Sequence, residues 1–215
     1  MGADASGLEL RCLGSYLSRF DGGRFASTVV NGDIHTELAA IYGTDRKAGK
    51  GVTYCLIYGG GDVKLGLTSG APKSKAASKG KAIRAQIMKD LDGFKELSDA
   101  IQKRAESDVL KGLDGRPIRL QGKKHAALNY LLQSAGAVIC KLWCIRINEL
   151  LQEAGIDYYP MAFVHDEVQL SVRADQAQMA ADITTYAMKD VEHQLQFKCQ
   201  LDSEYQIGNS WADCH

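Results

Sequence analysis

The chain has no charge bias: 26 lysines and arginines stand against 26 aspartates and glutamates. Whole-chain charge therefore gives no argument for a nucleic-acid partner. Long apolar runs are missing too. No stretch approaches the roughly 20 consecutive apolar residues of a membrane span, and the first residues carry no signal-peptide pattern, so no membrane association is expected. The six cysteines follow no disulfide spacing, and over 215 residues they read as reduced, cytosolic thiols. Cys140 and Cys144 lie one helical turn apart with no second Cys/His pair near them, which favours helix packing over a metal. Met1-Gly2-Ala3-Asp4-Ala5-Ser6 fits the N-myristoylation pattern, but no polybasic segment follows to supply the second membrane signal. What remains, 45% hydrophobic and 24% charged residues, is the composition of an ordinary globular protein with one large domain or two small ones.

The distribution of charge says more than its sum. Residues 71–90 hold six cations (Lys73, Lys75, Lys79, Lys81, Arg84, Lys89) against Asp90. Residues 111–125 hold five (Lys111, Arg116, Arg119, Lys123, Lys124) against Asp114. Two such patches suit a polyanion, although either alone reads equally well as a solvated face.

Along the chain, Asp4 to Leu13 reads as a strand end or turn passing into a helix. Asp33-Ile-His-Thr36 opens a second helix with Asp33 or Thr36 as cap. Thr68 to Lys81, rich in Ser, Gly, Ala and Lys, reads as a mobile loop. Phe94, Leu97, Ile101 and Ala105 mark an amphipathic helix, and Asp114-Gly115 a tight turn into Pro117–Leu120. His125 to Gly155 reads as one long helix, nearly all apolar over Ala126–Trp143 and therefore mostly buried there. Ala174–His193 reads as another helix and Phe197–Leu201 as a strand. The ending Trp211-Ala-Asp-Cys-His carries no legible mechanism.

Two stretches carry chemistry. Ala162-Phe163-Val164 and Val168–Val172 are strand-forming runs flanking His165, Asp166 and Glu167, a hairpin that presents the three polar residues together at its tip. Adjacent carboxylates repel, and a divalent cation relieves that repulsion; a solvated acidic turn is the plain alternative. In the second stretch Arg46, Lys50, Tyr54 and Tyr58 recur every fourth residue, which aligns them on one helix face. Cations followed by aromatics suit a triphosphate and a sugar or base, while a partly exposed amphipathic helix accounts for the same pattern. Gly59-Gly60-Gly61 ends that helix. Asn129 and Gln133, four apart on the long helix, need partners. A nucleic-acid minor groove or an internal hydrogen bond to a neighbouring strand supplies them equally well.

In this order the fragments resemble family A DNA polymerases, the DNA polymerase I-like group, and within it the phage replicative type. Asp4-Ala-Ser-Gly-Leu-Glu-Leu-Arg is similar to the family's motif A. Arg46-x3-Lys50-x3-Tyr54-x3-Tyr58-Gly59 is similar to motif B, and Val164-His-Asp-Glu167 to motif C. Leu113-Asp-Gly-Arg, His125-Ala-Ala-Leu-Asn, Leu132-Gln-Ser-Ala-Gly-Ala and the Trp-Ala-x-Cys-His end are close to the phage enzymes. His125 itself stands where the commoner family pattern has Arg.

The resemblance implies an α+β fold: an antiparallel palm sheet with helices (residues 1–16 and 125–215) and mostly helical fingers (17–124). It implies DNA-directed DNA synthesis from dNTP on a primer–template. Asp4 and Asp166, with the Ala5 carbonyl, would hold two Mg²⁺ ions. Glu167 would be a nearby, less demanding carboxylate. His35, Arg46 and Lys50 would bind the incoming triphosphate, with Lys50 donating a proton to the leaving group. Glu9 would block a ribose 2′-OH, packing against Tyr54 and Tyr58, and Tyr54 would lie against the sugar. Tyr58 and Gly59 would face the templating base, His165 the primer terminus, and Asn129 and Gln133 the minor groove.

The family's thumb, exonuclease and opening palm sequences precede the motif A position. The resemblance therefore implies a partner chain that carries them, or a fragment of a larger enzyme, acting in the cytoplasm of a phage-infected bacterium. The competing expectation is a non-catalytic DNA-binding or assembly subunit. A two-carboxylate metal nuclease leaves the Arg46–Tyr58 stripe unexplained.

Overall fold

The fold was taken from a computed structural model, which describes residues 1–214. In chain order the elements are β1 (Gly2–Ala5), α1 (Leu8–Asp21), α2 (Arg24–Asn31), α3 (Ile34–Tyr42), α4 (Arg46–Ile57), α5 (Asp62–Thr68), α6 (Ala76–Asp90) and α7 (Phe94–Ala105). They continue with β2 (Val109–Lys111), β3 (Pro117–Arg119), α8 (Ala127–Glu153), β4 (Tyr158–Val164), β5 (Glu167–Val172), α9 (Ala177–Leu195) and β6 (Ser203–Gln206). The class is α+β. The chain divides into two compact units, residues 1–12 with 135–215 and residues 13–134, so both changeovers fall inside helices, α1 and α8.

The discontinuous unit is built on a four-stranded antiparallel sheet of order β4-β5-β1-β6. Its central strand β1 is four residues of which only Asp4 is exposed. Strand alternation sorts the two sheet faces. Ala3 faces Val168 across the ladder, and both are buried. Asp4 stands level with Glu167 on one side and Glu204 on the other, on the opposite face. Gly2 pairs with Gln169, and a Cβ there would come within 2.2 Å of the Gln169 amide nitrogen, so only glycine leaves room for that side chain. Helix α9 packs on β1 and β6 through an alanine-rich buried stripe (Ala180, Ala181, Ala187) closed by Met188 and Val191. Trp143, wholly buried in α8, donates its indole N–H to the Thr184 carbonyl at 2.9 Å, and Arg146 pairs with Asp190 at 2.7 Å.

By length and composition alone α8 is apolar enough to cross a membrane. Its buried residues Leu132, Ala135, Ile139, Trp143, Ile147 and Leu151 nevertheless form a stripe with helical period, and Gln133, Lys141 and Ile145 are exposed. The expectation that Ala126–Trp143 is mostly buried is met along this stripe, while Gln133, Ala137 and Lys141 are exposed on the rest of the helix.

The unit of residues 13–134 is helical apart from the β2–β3 hairpin, which turns through Asp114 and the left-handed Gly115. Two sequence expectations needed correction. Thr68 to Lys81 is a loop only over residues 69–75, because from Ala76 onward it is the first turn and a half of α6. Gly80 and Gly66 explain the packing there. A Cβ on Gly80 would sit 1.8 Å from the Asp62 carbonyl oxygen, and one on Gly66 the same distance from that of Ala76. The glycines are contact points between α5 and α6, not flexible joints. In the other unit, Phe197–Leu201 is not a strand. Phe197, Cys199 and Leu201 alternate inward, but the Leu201 N–H goes to the Glu192 carboxylate, and β6 begins only at Ser203. All six cysteines are free.

Replacing Gly80 by alanine should force the α5 and α6 backbones apart and destabilise the fold by about 1–3 kcal/mol, the usual cost of overpacking. Chemical denaturation measures this, and an unchanged unfolding midpoint would contradict the close approach.

Candidate functional site

The hairpin expected from sequence is present, with one difference. Only His165 and Asp166 form the turn, His165 taking a left-handed backbone (φ 56°). Glu167 is not at the tip: it is the first residue of β5, and it is buried. The reason is pairing, since strand β5 must start at Glu167 to sit opposite Asp4. The Asp166 carbonyl accepts the Ala5 N–H at 3.0 Å, which ties the tip to the end of β1. Asp4, Ala5 and Asp166 are thereby brought together by one ladder.

The electrostatics of this place are unfavourable by design of the register. Partial burial, followed by repulsion from Asp166, Glu167, Glu204 and Glu9, pushes the Asp4 carboxyl up to about 6. Every charged group acting on it is another carboxylate. Asp166 is also raised, mainly by burial, with Glu9 and Glu167 adding repulsion and His165 opposing it. Like charges placed directly opposite in a sheet cost stability, and a cation removes that cost. Among the described residues, no group of three or more His, Cys, Asp or Glu side chains is arranged to hold an ion. Two carboxylates and a backbone carbonyl are, however, hard oxygen donors that suit Mg²⁺, which keeps much of its shell for water and phosphate. The donor set fits.

Glu167 is held apart from this pair. Gln169 donates its side-chain amide to Glu167 Oε1, and the Trp211 indole N–H donates to the same oxygen at 3.2 Å. Neither residue is legible as functional in sequence. Trp211 lies 44 positions away in a tail whose resemblance to the phage enzymes carries no legible mechanism, and Gln169 is an unremarkable strand residue whose role depends on the missing Cβ of Gly2. Glu9, on the first turn of α1, is half-buried and acts electrostatically on both aspartates.

In the helical unit, α4 displays the expected stripe. Arg46, Lys50 and Tyr58 are exposed and Tyr54 half-exposed, whereas Gly49, Val52, Thr53, Leu56 and Ile57 are buried on the far side. The Tyr54 and Tyr58 rings are stacked with centroids 6.2 Å apart, and His35 lies 6.1 Å from Tyr54. His35 Nδ1 is buried with no hydrogen-bond partner among the described residues. Burial first, then the charges of Lys50 and Arg46, lower the His35 pKa and favour the neutral ring. Three groups able to meet an anion (His35, Arg46 and Lys50) thus lie together. Asp33 caps α3 by accepting the Thr36 N–H and also accepts Arg46 Nε at 2.7 Å, a contact the sequence did not reveal. Helix α4 ends at Ile57, with Tyr58 as its cap and Gly59 in the left-handed region. Asn129 donates to the Ile57 carbonyl at 3.3 Å, so the internal partner exists. Gln133 is exposed.

Comparisons with known proteins bear on the family and the fold. The family described as DNA polymerase family A matches residues 1–213. The DNA-directed DNA polymerases of Escherichia phage T7 and Enterobacteria phage T3 are 40% and 39% identical over 238 residues, covering all of this chain and 33% of each relative. The chain therefore spans about a third of the length of the curated relatives it matches. Among solved structures, the polymerase domain of Pol1 from M. smegmatis, in complex with DNA primer-template and dNTP, superposes with a TM-score of 0.81 at 20% identity. That match covers 99% of this chain and 40% of the other. With the family matched over nearly its whole length, and with a polymerase-domain fold, the chain belongs to DNA polymerase family A.

Proposed function

We propose that this chain supplies the nucleotidyl-transfer centre of a phage-type DNA-directed DNA polymerase, which adds a deoxynucleotide from dNTP to a primer 3′ hydroxyl. The discontinuous unit is read as the palm and residues 13–134 as the fingers. The observation that carries this reading is the setting of Asp4, whose carboxyl is raised to about 6 by partial burial and then by the crowding carboxylates of Asp166, Glu167 and Glu204. Asp4 and Asp166, with the Ala5 carbonyl, would hold two Mg²⁺ ions; members of this family generally use divalent metal ions. When bound, these ions supply the activation of the primer hydroxyl and neutralise charge on the leaving pyrophosphate.

The protein's own contribution is positioning. Arg46 and Lys50 bind the triphosphate through charge-assisted contacts. Lys50 Nζ is the proton donor to the leaving group. Neutral His35 offers a ring nitrogen to the same anion. Tyr54 supports the incoming sugar, and Glu9 denies a ribose 2′-OH both space and a partner. Tyr58 and Gly59 face the templating base, His165 the primer terminus, and Asn129 and Gln133 the minor groove. The remaining donor of the Asn129 amide is available for that contact while the first secures the end of α4.

Activity is further proposed to require protein equivalent to the other two-thirds of the phage relatives, carrying thumb and exonuclease, in the same chain or a separate one. The edge strand β4 supports this. Tyr159, Met161 and Phe163 are 68%, 66% and 45% exposed on a strand with one ladder partner. Apolar residues on an unpaired edge are a docking surface. The competing reading, a non-catalytic DNA-binding or assembly fragment, is separated by the same experiment. Primer extension at moderate salt by the 215 residues alone should be weak. It should rise when the complementary polymerase segment is added, and the two should co-elute. Processive synthesis by the chain alone would contradict the dependence, and no synthesis by the assembled pair would favour the non-catalytic reading.

In that assembly Asp4→Asn and Asp166→Asn should each lower single-turnover extension by at least roughly 10²–10³-fold, the usual scale for losing one charge-stabilising group. Primer–template affinity should be largely kept. Near-normal extension by either variant would remove the metal assignment. Glu9→Ala should raise ribonucleotide incorporation relative to deoxyribonucleotide. Unchanged discrimination would place the sugar gate elsewhere.

A further inference from the structure

Asp33 has two jobs that its sequence context discloses only by half. As the N-cap of α3 it accepts the Thr36 N–H through Oδ1 at 3.3 Å. Its other oxygen, Oδ2, accepts the Thr36 hydroxyl at 2.7 Å and Arg46 Nε, also at 2.7 Å. Arg46 is the first residue of α4, and that helix has a cap of its own, Asp45, which accepts the Ala48 N–H at 2.8 Å. Arg46 is therefore not engaged in capping. It is held at the mouth of α4 by Nε alone, and its two terminal amines have no partner among the described residues.

That division of the guanidinium is informative. Planar Arg recognises phosphate through a pair of parallel N–H groups, and a carboxylate occupying both terminal amines would block this. Asp33 instead takes the one nitrogen that leaves the fork open, and its own second contact to Thr36 fixes the direction of the hold. Both side chains are more than 40% exposed, and a pair exposed to that degree contributes little to stability. The contact is thus poorly explained as a stabilising bridge. His35, two residues after Asp33, brings its unpartnered Nδ1 to the same neighbourhood.

We propose that Asp33 is a positioning residue for triphosphate recognition, holding Arg46 by Nε so that its terminal amines face the phosphates of the incoming nucleotide. This rests on the reading of Arg46 as a triphosphate contact. Asp33 itself touches no substrate.

Asp33→Asn separates the two jobs. Asn and Asp cap helices equally well, but an Asn whose oxygen takes the Thr36 N–H turns its amide toward Arg46, and a donor cannot accept Nε. The measurements use the assembled polymerase. One is dTTP affinity of the complex with a dideoxy-terminated primer–template, where no chemistry occurs. The others are KM and kcat for single-nucleotide addition, and the melting temperature. The expected result is dTTP binding weakened about tenfold, the scale of losing a hydrogen bond to a charged group. KM should rise in step while kcat, primer–template affinity and melting temperature stay near their original values.

The double variant Asp33→Asn with Arg46→Ala should bind dTTP no worse than Arg46→Ala alone, because Asp33 acts through Arg46. If Asp33→Asn leaves dTTP affinity unchanged or improves it, the proposal fails. It also fails if the two losses add. If Arg46→Ala itself has no effect on dTTP binding, the reading of Arg46 fails first and takes the proposal with it. Should Asp33→Asn lower the melting temperature, Asp33→Ser is read in its place, since it keeps a capping oxygen but does not reach Arg46. The same outcomes then decide.

Discussion

Like-charge crowding across three strands is the constraint on which this molecule turns. Glu167, Asp4 and Glu204 stand level with one another in adjacent strands, and the β4–β5 turn adds Asp166. A sheet selected only for stability would interleave cations here or turn the residues outward. Instead the neighbouring pieces are shaped to keep the carboxylates in place. The strand that carries Asp4 is otherwise Gly and Ala, small enough to lie in the middle of the sheet. Gly2 opens a channel for Gln169, and a tryptophan from the far end of the chain joins Gln169 on Glu167. The repulsion that remains falls on Asp4 and Asp166, whose carboxyls are both raised, with His165 partly offsetting the effect on Asp166.

The helical unit solves the reverse problem. It gathers Arg46, Lys50 and His35, which repel one another or lose solvation together, as the lowered pKa of His35 records. Helix α4 manages this by putting every bulky apolar residue on one side and leaving a wet stripe on the other. Asp33 and Asp45 supply local negative charge at the starts of α3 and α4, where the helix dipole also favours it.

Much of this was legible in the sequence because the signals are local. The four-residue period from Arg46 to Tyr58, the Asp33 cap, the Asp114-Gly115 turn and the strand-forming runs around Asp166 each fix geometry over a few residues. The family resemblance rested on the same short segments. What was not legible depends on chain segments that meet in space. Nothing near Trp211 announces that its indole reaches Glu167. The alternation of Phe197, Cys199 and Leu201 satisfies the pattern of a strand, but no neighbouring strand is there to pair with it. Glycines near Thr68–Lys81 read as flexibility, whereas Gly66 and Gly80 are where helix backbones touch. The partnership of Asp33 and Arg46 spans 13 positions and two helices, beyond the reach of any periodicity.

The open edge of β4 also bears on how copies of this chain meet one another. An open strand edge lined with Tyr159, Met161 and Phe163 is a template on which further copies could add, rung by rung, into growing stacks. Pro160 has no N–H to offer to such a ladder, and the register shifts between Pro160 and Ala162, so the edge is interrupted near its centre. The strand can thus stay apolar while offering an approaching copy only two short, misaligned segments. A proline in mid-strand keeps an apolar edge from serving as one continuous template for like copies.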